Sequence, residues 1–357
     1  MEPLDPEVMI RQVAQLPTDL RERTPLFDER VHALLPASSW TRIDHVFLTG
    51  DGDSHHASCA AEMAFETLAR IPCEPISAHR FLHYGPLPTA TPIGSGRQAL
   101  LIATSASGTT KAVVEAIKHA KKQGALTVAI TGTPDSSVTK VADRSLVVDL
   151  PNPERSPGIR TYQASLLGML LTAIRLAENR APACSADRLR REIRGLADAV
   201  EATAQAVRDR CRQVAAEIAT APVVTVVGSG PTYGTALFAA AKIIEASGVY
   251  AAGQDLEEWS HVERFAHPID TPVVVIAPPG RSLARAAALA TQAHGLGRRV
   301  IAVTASDDTA VSRHAHAVLP VHGTAREEFS PLLYHLFADY TACYLAQHLT
   351  RSPFQAG

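Results

Sequence analysis

No uninterrupted apolar run reaches the roughly 18 residues that a helix needs to cross a bilayer. The longest candidate, around Leu166–Ile174, is broken by Gly168 and Thr172. The start, Met1-Glu2-Pro3-Leu4-Asp5-Pro6, has no basic region and no apolar stretch. No signal peptide is expected there, and a cytoplasmic protein is. Cysteine is sparse: Cys59, Cys73, Cys184, Cys211 and Cys343 are scattered, odd in number and form no CxxC pair. That pattern argues against a structural zinc and for reduced thiols. Basic blocks are missing and the formal net charge is −2, which argues against a dedicated nucleic-acid binder. Aromatics are only 5% of the chain, while alanine is abundant, as closely packed helices require. What remains is an ordinary folding mixture, 46% hydrophobic and 20% charged over 357 residues. It can fill a core in each of about two domains.

The apolar runs are short, β-branched and bounded by turn residues, and they alternate with Ala-rich helical stretches. This predicts an α/β fold of parallel β-α units with both sheet faces covered. Buried strands are expected at His45–Leu48, Ala99–Thr104, Leu126–Thr131 and Ser145–Leu150. A second set is expected at Pro222–Val227, Pro272–Ala277, Arg299–Thr304 and Ala317–Val321. The sets read as one unit used twice. Gly50-Asp51-Gly52 returns as Gly228-Ser229-Gly230, 178 positions on, and Ile102-Ala103-Thr104 as Ile276-Ala277-Pro278, 174 positions on. The expected organisation is a helical segment over 1–40, a first domain over 41–184 and a second over 185–357, opened by a linking helix at Ser185–Thr220.

Three constellations carry candidate chemistry. Thr104-Ser105-Ala106-Ser107-Gly108-Thr109-Thr110 follows a buried strand and precedes a helix, Thr110–Gln123. Hydroxyls and free amides at a helix N-terminus favour a phosphate, and the carboxyl end of a parallel strand is where such folds bind ligands. No lysine follows the glycine, so this is not a nucleotide P-loop. The second copy reads Pro278-Pro279-Gly280-Arg281-Ser282; its prolines remove two donors, so one phosphate site per chain is expected. Gly50-Asp51-Gly52-Asp53-Ser54-His55-His56 has the spacing GxGxxH with two acids that repel a pyrophosphate, which argues against a nicotinamide site. Its acids and Ser54 can hydrogen-bond sugar hydroxyls. A metal on His55, His56, Asp51 and Asp53 is disfavoured because adjacent side chains diverge. Lys242 and Glu245 lie three apart on an expected helix, Thr232–Ala246, and from the sequence alone read first as a solvated surface ion pair. His261 follows an acidic stretch, Asp255–Ser260.

With these residues the chain resembles the double SIS (sugar isomerase) domain family. It is similar to the isomerase half of glutamine–fructose-6-phosphate aminotransferase and to the ketosamine-6-phosphate deglycases. The likeness runs from Met9 to about Gln347. Ser105-Ala106-Ser107-Gly108-Thr109-Thr110 resembles the family's SxSGxT phosphate loop, and Gly50–Ser54 its first sugar-binding loop. Lys242, Glu245 and His261 fall at the spacing of its catalytic residues. The resemblance implies two tandem flavodoxin-like (SIS) three-layer α/β/α domains, the first holding phosphate on Ser105, Ser107 and Thr110. It implies sugar contacts from Ser54, Asp53 and Glu154, and catalysis by Glu245, Lys242 and His261, the histidine coming from the neighbouring subunit of a homodimer. The implied activity is aldose–ketose isomerisation, or amino-sugar phosphate interconversion, of a hexose 6-phosphate through an enediol or enolamine. A ketosamine 6-phosphate deglycase and a non-catalytic sugar-phosphate sensor are the alternatives. Neither cofactor nor metal is expected, and no nucleic-acid or membrane partner. The family's tail lysine has no counterpart after Lys242, and no glutaminase segment precedes the module, so glutamine hydrolysis is not expected.

Overall fold

The computed structural model describes residues 3–85, 97–180 and 185–355; Cys184 lies outside them. Two compact units form, each around a five-stranded parallel sheet. The first-sheet unit takes residues 18–153 and 160–194, and the second-sheet unit residues 1–17, 154–159 and 195–357. The first copy runs α1 (Glu7–Leu34), α2 (Ala37–Trp40), β1 (Ile43–Gly50), α3 (Asp53–Leu68), β2 (Cys73–Ser77), α4 (Ala78–Tyr84), β3 (Gln98–Thr104), α5 (Lys111–Lys122), β4 (Leu126–Thr131), α6 (Ser137–Val141), β5 (Arg144–Val147) and α7 (Ile159–Arg180). The second runs α8 (Ala186–Ile218), β6 (Val224–Gly228), α9 (Pro231–Ser247), β7 (Ala251–Asp255), α10 (Leu256–His261), β8 (Pro272–Ala277), α11 (Leu283–Gly295), β9 (Arg299–Ala305), β10 (Ala317–Val321), α12 (Pro331–Tyr334) and α13 (Leu336–His348).

The sheet orders are β2-β1-β3-β4-β5 and β7-β6-β8-β9-β10, the same topology twice. These are the expected tandem flavodoxin-like α/β domains. Strand order reverses between β1 and β3, and between β6 and β8, which is where such folds open a crevice at the carboxyl ends of the strands. Repetition extends to packing. α5 buries Val113, Ala116, Ile117 and Ala120 against Ala99, Leu101 and Ala103 of β3. α11 buries Ala286, Leu289, Ala290 and Ala293 against Val273, Val275 and Ala277 of β8. Both stripes have the i, i+3, i+4, i+7 spacing that lays one helix face on a sheet.

Three expectations need correction. Each sheet has a fifth strand, β2 or β7, at one edge. Glu74-Pro75 in β2 and Gly253-Gln254 in β7 interrupt the apolar pattern, which an edge strand tolerates. β5 stops at Val147 rather than Leu150, because the Arg30 guanidinium takes the Val147 carbonyl and the Asp149 carboxylate. The expected loop over Gly50–Ser54 is shorter, because Asp53 and Ser54 already form the first turn of α3.

Candidate active site

In the first-sheet unit the turn after β1 is fixed by two glycines. A Cβ on Gly50 would meet Ser54 Cβ at 2.7 Å and the Thr104 carbonyl at 3.0 Å. Gly52 sits at φ 53, ψ −131, and Gly230 repeats this in the second copy at φ 57, ψ −132, a region open essentially to glycine alone. Asp51 accepts the Ala78 amide at 3.2 Å and so caps α4 from a distance. Asp53, in the first turn of α3, lies 3.5 Å from His56 Nδ1. Ser54 is buried beside it. Burial, reinforced by the neighbouring His56, lowers the His55 imidazole pKa.

The β3–α5 turn is a closed knot of hydroxyls. Ser105 Oγ is 2.9 Å from Thr110 Oγ1 and accepts the Gly108 amide at 3.1 Å. Ser107 Oγ is 3.1 Å from Thr109 Oγ1. The carbonyls of Ala106 and Gly108 face inward, taking the amides of Gly132 at 3.1 Å and Val138 at 3.0 Å. The outer side is therefore left to hydroxyls and to the first-turn amides of α5, which have no acceptor within their helix. Gly108 makes this possible at φ +71; a Cβ there would lie 2.2 Å from Ser136 Oγ. Of the expected phosphate ligands, Ser107 is exposed and Thr110 half-buried, whereas Ser105 is buried and shapes the turn.

The second-sheet unit holds the other half of the expected set. Lys242 Nζ donates to Glu245 Oε2 at 2.5 Å; the lysine side chain is 0% exposed and the glutamate 31%. This is not a solvated surface pair. An ammonium taken fully out of water requires a charged partner, and Lys242 also lies 5.1 Å from the centre of the Phe238 ring. The segment after α13 closes on the same end of α9. The Phe354 amide donates to the Glu245 carbonyl at 2.8 Å, and Arg351 Nη1 to the Ser247 carbonyl at 2.6 Å. Glu245, Ile244, Arg351, Phe354 and Gln355 help line a cavity of about 660 Å³. This tail was not expected at the site; Glu245 and Phe354 are far apart in sequence, and no local pattern links them.

His261 ends α10 on the surface, 3.0 Å from Glu257 Oε1 and 70% exposed. Arg285 and then His261 hold the Glu257 carboxyl below its usual range. The structure thus brings Lys242 and Glu245 together and pairs His261 with a different carboxylate. Glu154 is gripped by Arg11, 2.5 Å from Nη2 and 3.2 Å from Nε, while Gln12 donates to its carbonyl. The first turns of α1 therefore have a definite task in the second-sheet unit.

The SIS domain family model matches residues 41–175 and 217–349, and the chain belongs to this sugar-isomerase family. Glutamine–fructose-6-phosphate aminotransferase of Streptomyces coelicolor is 27% identical over 318 residues, covering 87% of this chain and 50% of that protein. The chain spans about half the length of the curated relatives it matches. The C-terminal domain of glucosamine-fructose-6-phosphate aminotransferase from Francisella tularensis superposes with a TM-score of 0.80 at 16% identity, over 97% of each chain. Glucosamine-6-phosphate deaminase from Thermotoga maritima gives 0.70 at 17%, over 97% of this chain and 96% of the other. At these identities the solved structures establish the shared fold. Among the described residues, no helix is long and apolar enough to cross a membrane.

Proposed function

We propose that the chain catalyses aldose–ketose isomerisation of a hexose or amino-hexose 6-phosphate in the cytoplasm. The observation that carries this reading is the Lys242–Glu245 pair: a fully buried ammonium 2.5 Å from a partly exposed carboxylate, at a residue that lines a cavity. Ser107 and Thr110, with the α5 amides and the turn that Ser105 ties, hold the phosphate, and that anchoring positions C1 and C2. Ser54, Asp53 and Glu154 contact sugar hydroxyls. Glu245 takes the C2 proton of the open-chain aldose and returns it at C1, while a proton passes from O2 to O1 through the enediol. Lys242 steadies the carboxylate and the developing oxyanion. His261, supplied by the neighbouring subunit of a homodimer, opens the ring. The transfer needs neither cofactor nor metal.

Deglycation is a second reading, favoured by the cavity itself. Its volume of about 660 Å³, with Phe354 and Arg351 on its wall, exceeds what a proton transfer requires and suits a substituent on the substrate. There Glu245 returns the proton of the enolamine to C2, which leaves an imine at C1; water adds to C1, the C1–N bond breaks, and the amine and an aldose 6-phosphate are released.

The test is proton NMR in deuterated water with glucose, fructose and glucosamine 6-phosphates and a fructosamine 6-phosphate adduct. Exchange at C1 and C2 without amine loss is expected, and Glu245→Gln should slow it by about 10²–10⁴-fold. Amine release from the adduct makes the protein a deglycase. Saturable binding without turnover, lost on Thr110→Val, makes it a sensor. Full turnover in Glu245→Gln removes the general base from this mechanism.

A further inference from the structure

Behind the Lys242–Glu245 pair lies a second pair of titratable side chains that the reaction above leaves unused. His335, between α12 and α13, and Asp339, in the first turn of α13, are both 0% exposed. His335 Nδ1 is 3.1 Å from Asp339 Oδ2. The imidazole stands edge-on to Phe238, with ring centres 5.7 Å apart at 88°. That same Phe238 ring carries the Lys242 ammonium at 5.1 Å. Phe238, Lys242 and Glu245 are spaced i, i+4, i+7 on α9 and so share one helix face. A polar pair in a core needs a reason, since burial without compensation is unfavourable and an apolar pair of equal volume serves packing as well.

We infer that His335 and Asp339 are a positioning dyad: Asp339 fixes the His335 ring, that ring fixes Phe238, and Phe238 is the platform that seats the Lys242 ammonium against Glu245. The carboxylate sets which way the imidazole faces, as second-layer carboxylates do for functional histidines. The edge-on imidazole restrains the phenyl ring, and a desolvated ammonium over an aromatic face is held more strongly than an exposed one. The consequence for turnover rests on the isomerase reading; the placement of the ammonium does not.

The chain has six lysines, and the other five, between residues 111 and 140, are exposed. In protein labelled with ¹⁵N-lysine, Lys242 should therefore give the one slowly exchanging ammonium signal. His335→Asn keeps a donor for Asp339 but removes the ring; Phe238→Leu removes the platform. Each is expected to move or broaden that signal and to lower kcat about tenfold with KM unchanged. The double variant should be no worse than either single one, because the residues act in series. An unchanged ammonium signal in folded His335→Asn overturns the proposal, as do losses that multiply in the double variant. Should His335→Asn not fold, Asp339→Asn decides by the same signal: movement supports the dyad and constancy overturns it. If the wild-type protein turns over no sugar phosphate, the isomerase reading falls while the ammonium signal still decides the positioning.

Discussion

The two sheets carry the same turn twice and use it differently. After β3 the chain places hydroxyls, a left-handed Gly108 and open amides. After β8 it places Pro278 and Pro279, and one of the remaining donors is already taken: the Arg281 amide donates to Glu327 Oε1 at 3.0 Å. The Glu327 carboxyl sits so close that a Cβ on Gly280 would lie 2.6 Å from its Cδ. One copy leaves a candidate anion seat open and the other fills it with its own carboxylate. The helices after β1 and β6 divide in the opposite sense. By the offset of 178, Lys242 and Glu245 of α9 correspond to Ala64 and Thr67 of α3, so only the second copy holds the buried lysine–glutamate pair. The two copies are equivalent frameworks, and each carries a constellation that the other lacks.

The sharpest way to break the comparison is at Gly108. Gly108→Ala forces a side chain into φ +71 and into Ser136. The backbone strain alone costs about 1–3 kcal/mol, and the turn must shift to relieve the overlap. Sugar-phosphate binding by calorimetry should weaken at least about a hundredfold. Gly280→Ala is the matched control in the other copy. Its Cβ meets the movable end of Glu327, so phosphate affinity should stay at the wild-type value. Equal losses in the two variants would mean that the turns are not functionally distinct.

A smaller effect is expected at the filled seat. Glu327→Ala removes the acceptor of the Arg281 amide, and an unmade hydrogen bond of this kind costs about 1 kcal/mol. The midpoint of thermal unfolding should fall by about 2–4 °C. Inorganic phosphate at about 20 mM should restore part of that loss in the variant, because a ligand of the folded state stabilises it by mass action. The wild-type protein should gain less, because phosphate can enter only its seat after β3. No fall in the variant would show that the carboxylate is incidental to the turn.

The sequence exposed these features unevenly, and the reasons are physical. Eight strands were legible: six are central, buried on both faces, and read as apolar runs, and the edge strands β5 and β10 keep short apolar runs of their own. The other two edges, β2 and β7, were not, since Glu74-Pro75 and Gly253-Gln254 break their apolar pattern, which pairing on one side tolerates. The hydroxyl turn was legible because its residues are contiguous. The state of Lys242 was not, because an i,i+3 Lys/Glu pair has the same spacing on a wet surface as in a core. Fold rules also point elsewhere for it. Ligands are sought at the carboxyl ends of strands, but Glu245 lies about 20 Å down α9 from Gly230, at a rise of about 1.5 Å per residue. The grip of Arg11 on Glu154, the seat of Glu327 and the approach of Phe354 to Glu245 all join distant segments. No local period encodes them.

The mildest contrast lies between the same two helices. Position 62 of α3 is a glutamate where α9 has Ala240. Burial, then the nearby Glu66 and Glu74, push the Glu62 carboxyl up to about 7. A carboxyl raised in the fold keeps its proton where the unfolded chain has lost it. Both states are protonated at about pH 4, so the group then has no effect on stability. Between the ordinary carboxylate range and about pH 7 the unfolded state ionises first, and stability falls as pH rises. Glu62→Gln copies the protonated form without a charge and should abolish that fall. Because Glu62 is partly exposed, solvent screening keeps the gain small, about 2 °C in the unfolding midpoint at pH 8 and none at pH 4. The gap between variant and wild type should open across pH 5–7. A gap of the same size at every pH would assign the difference to packing, and α3 and α9 would then differ in shape rather than in charge.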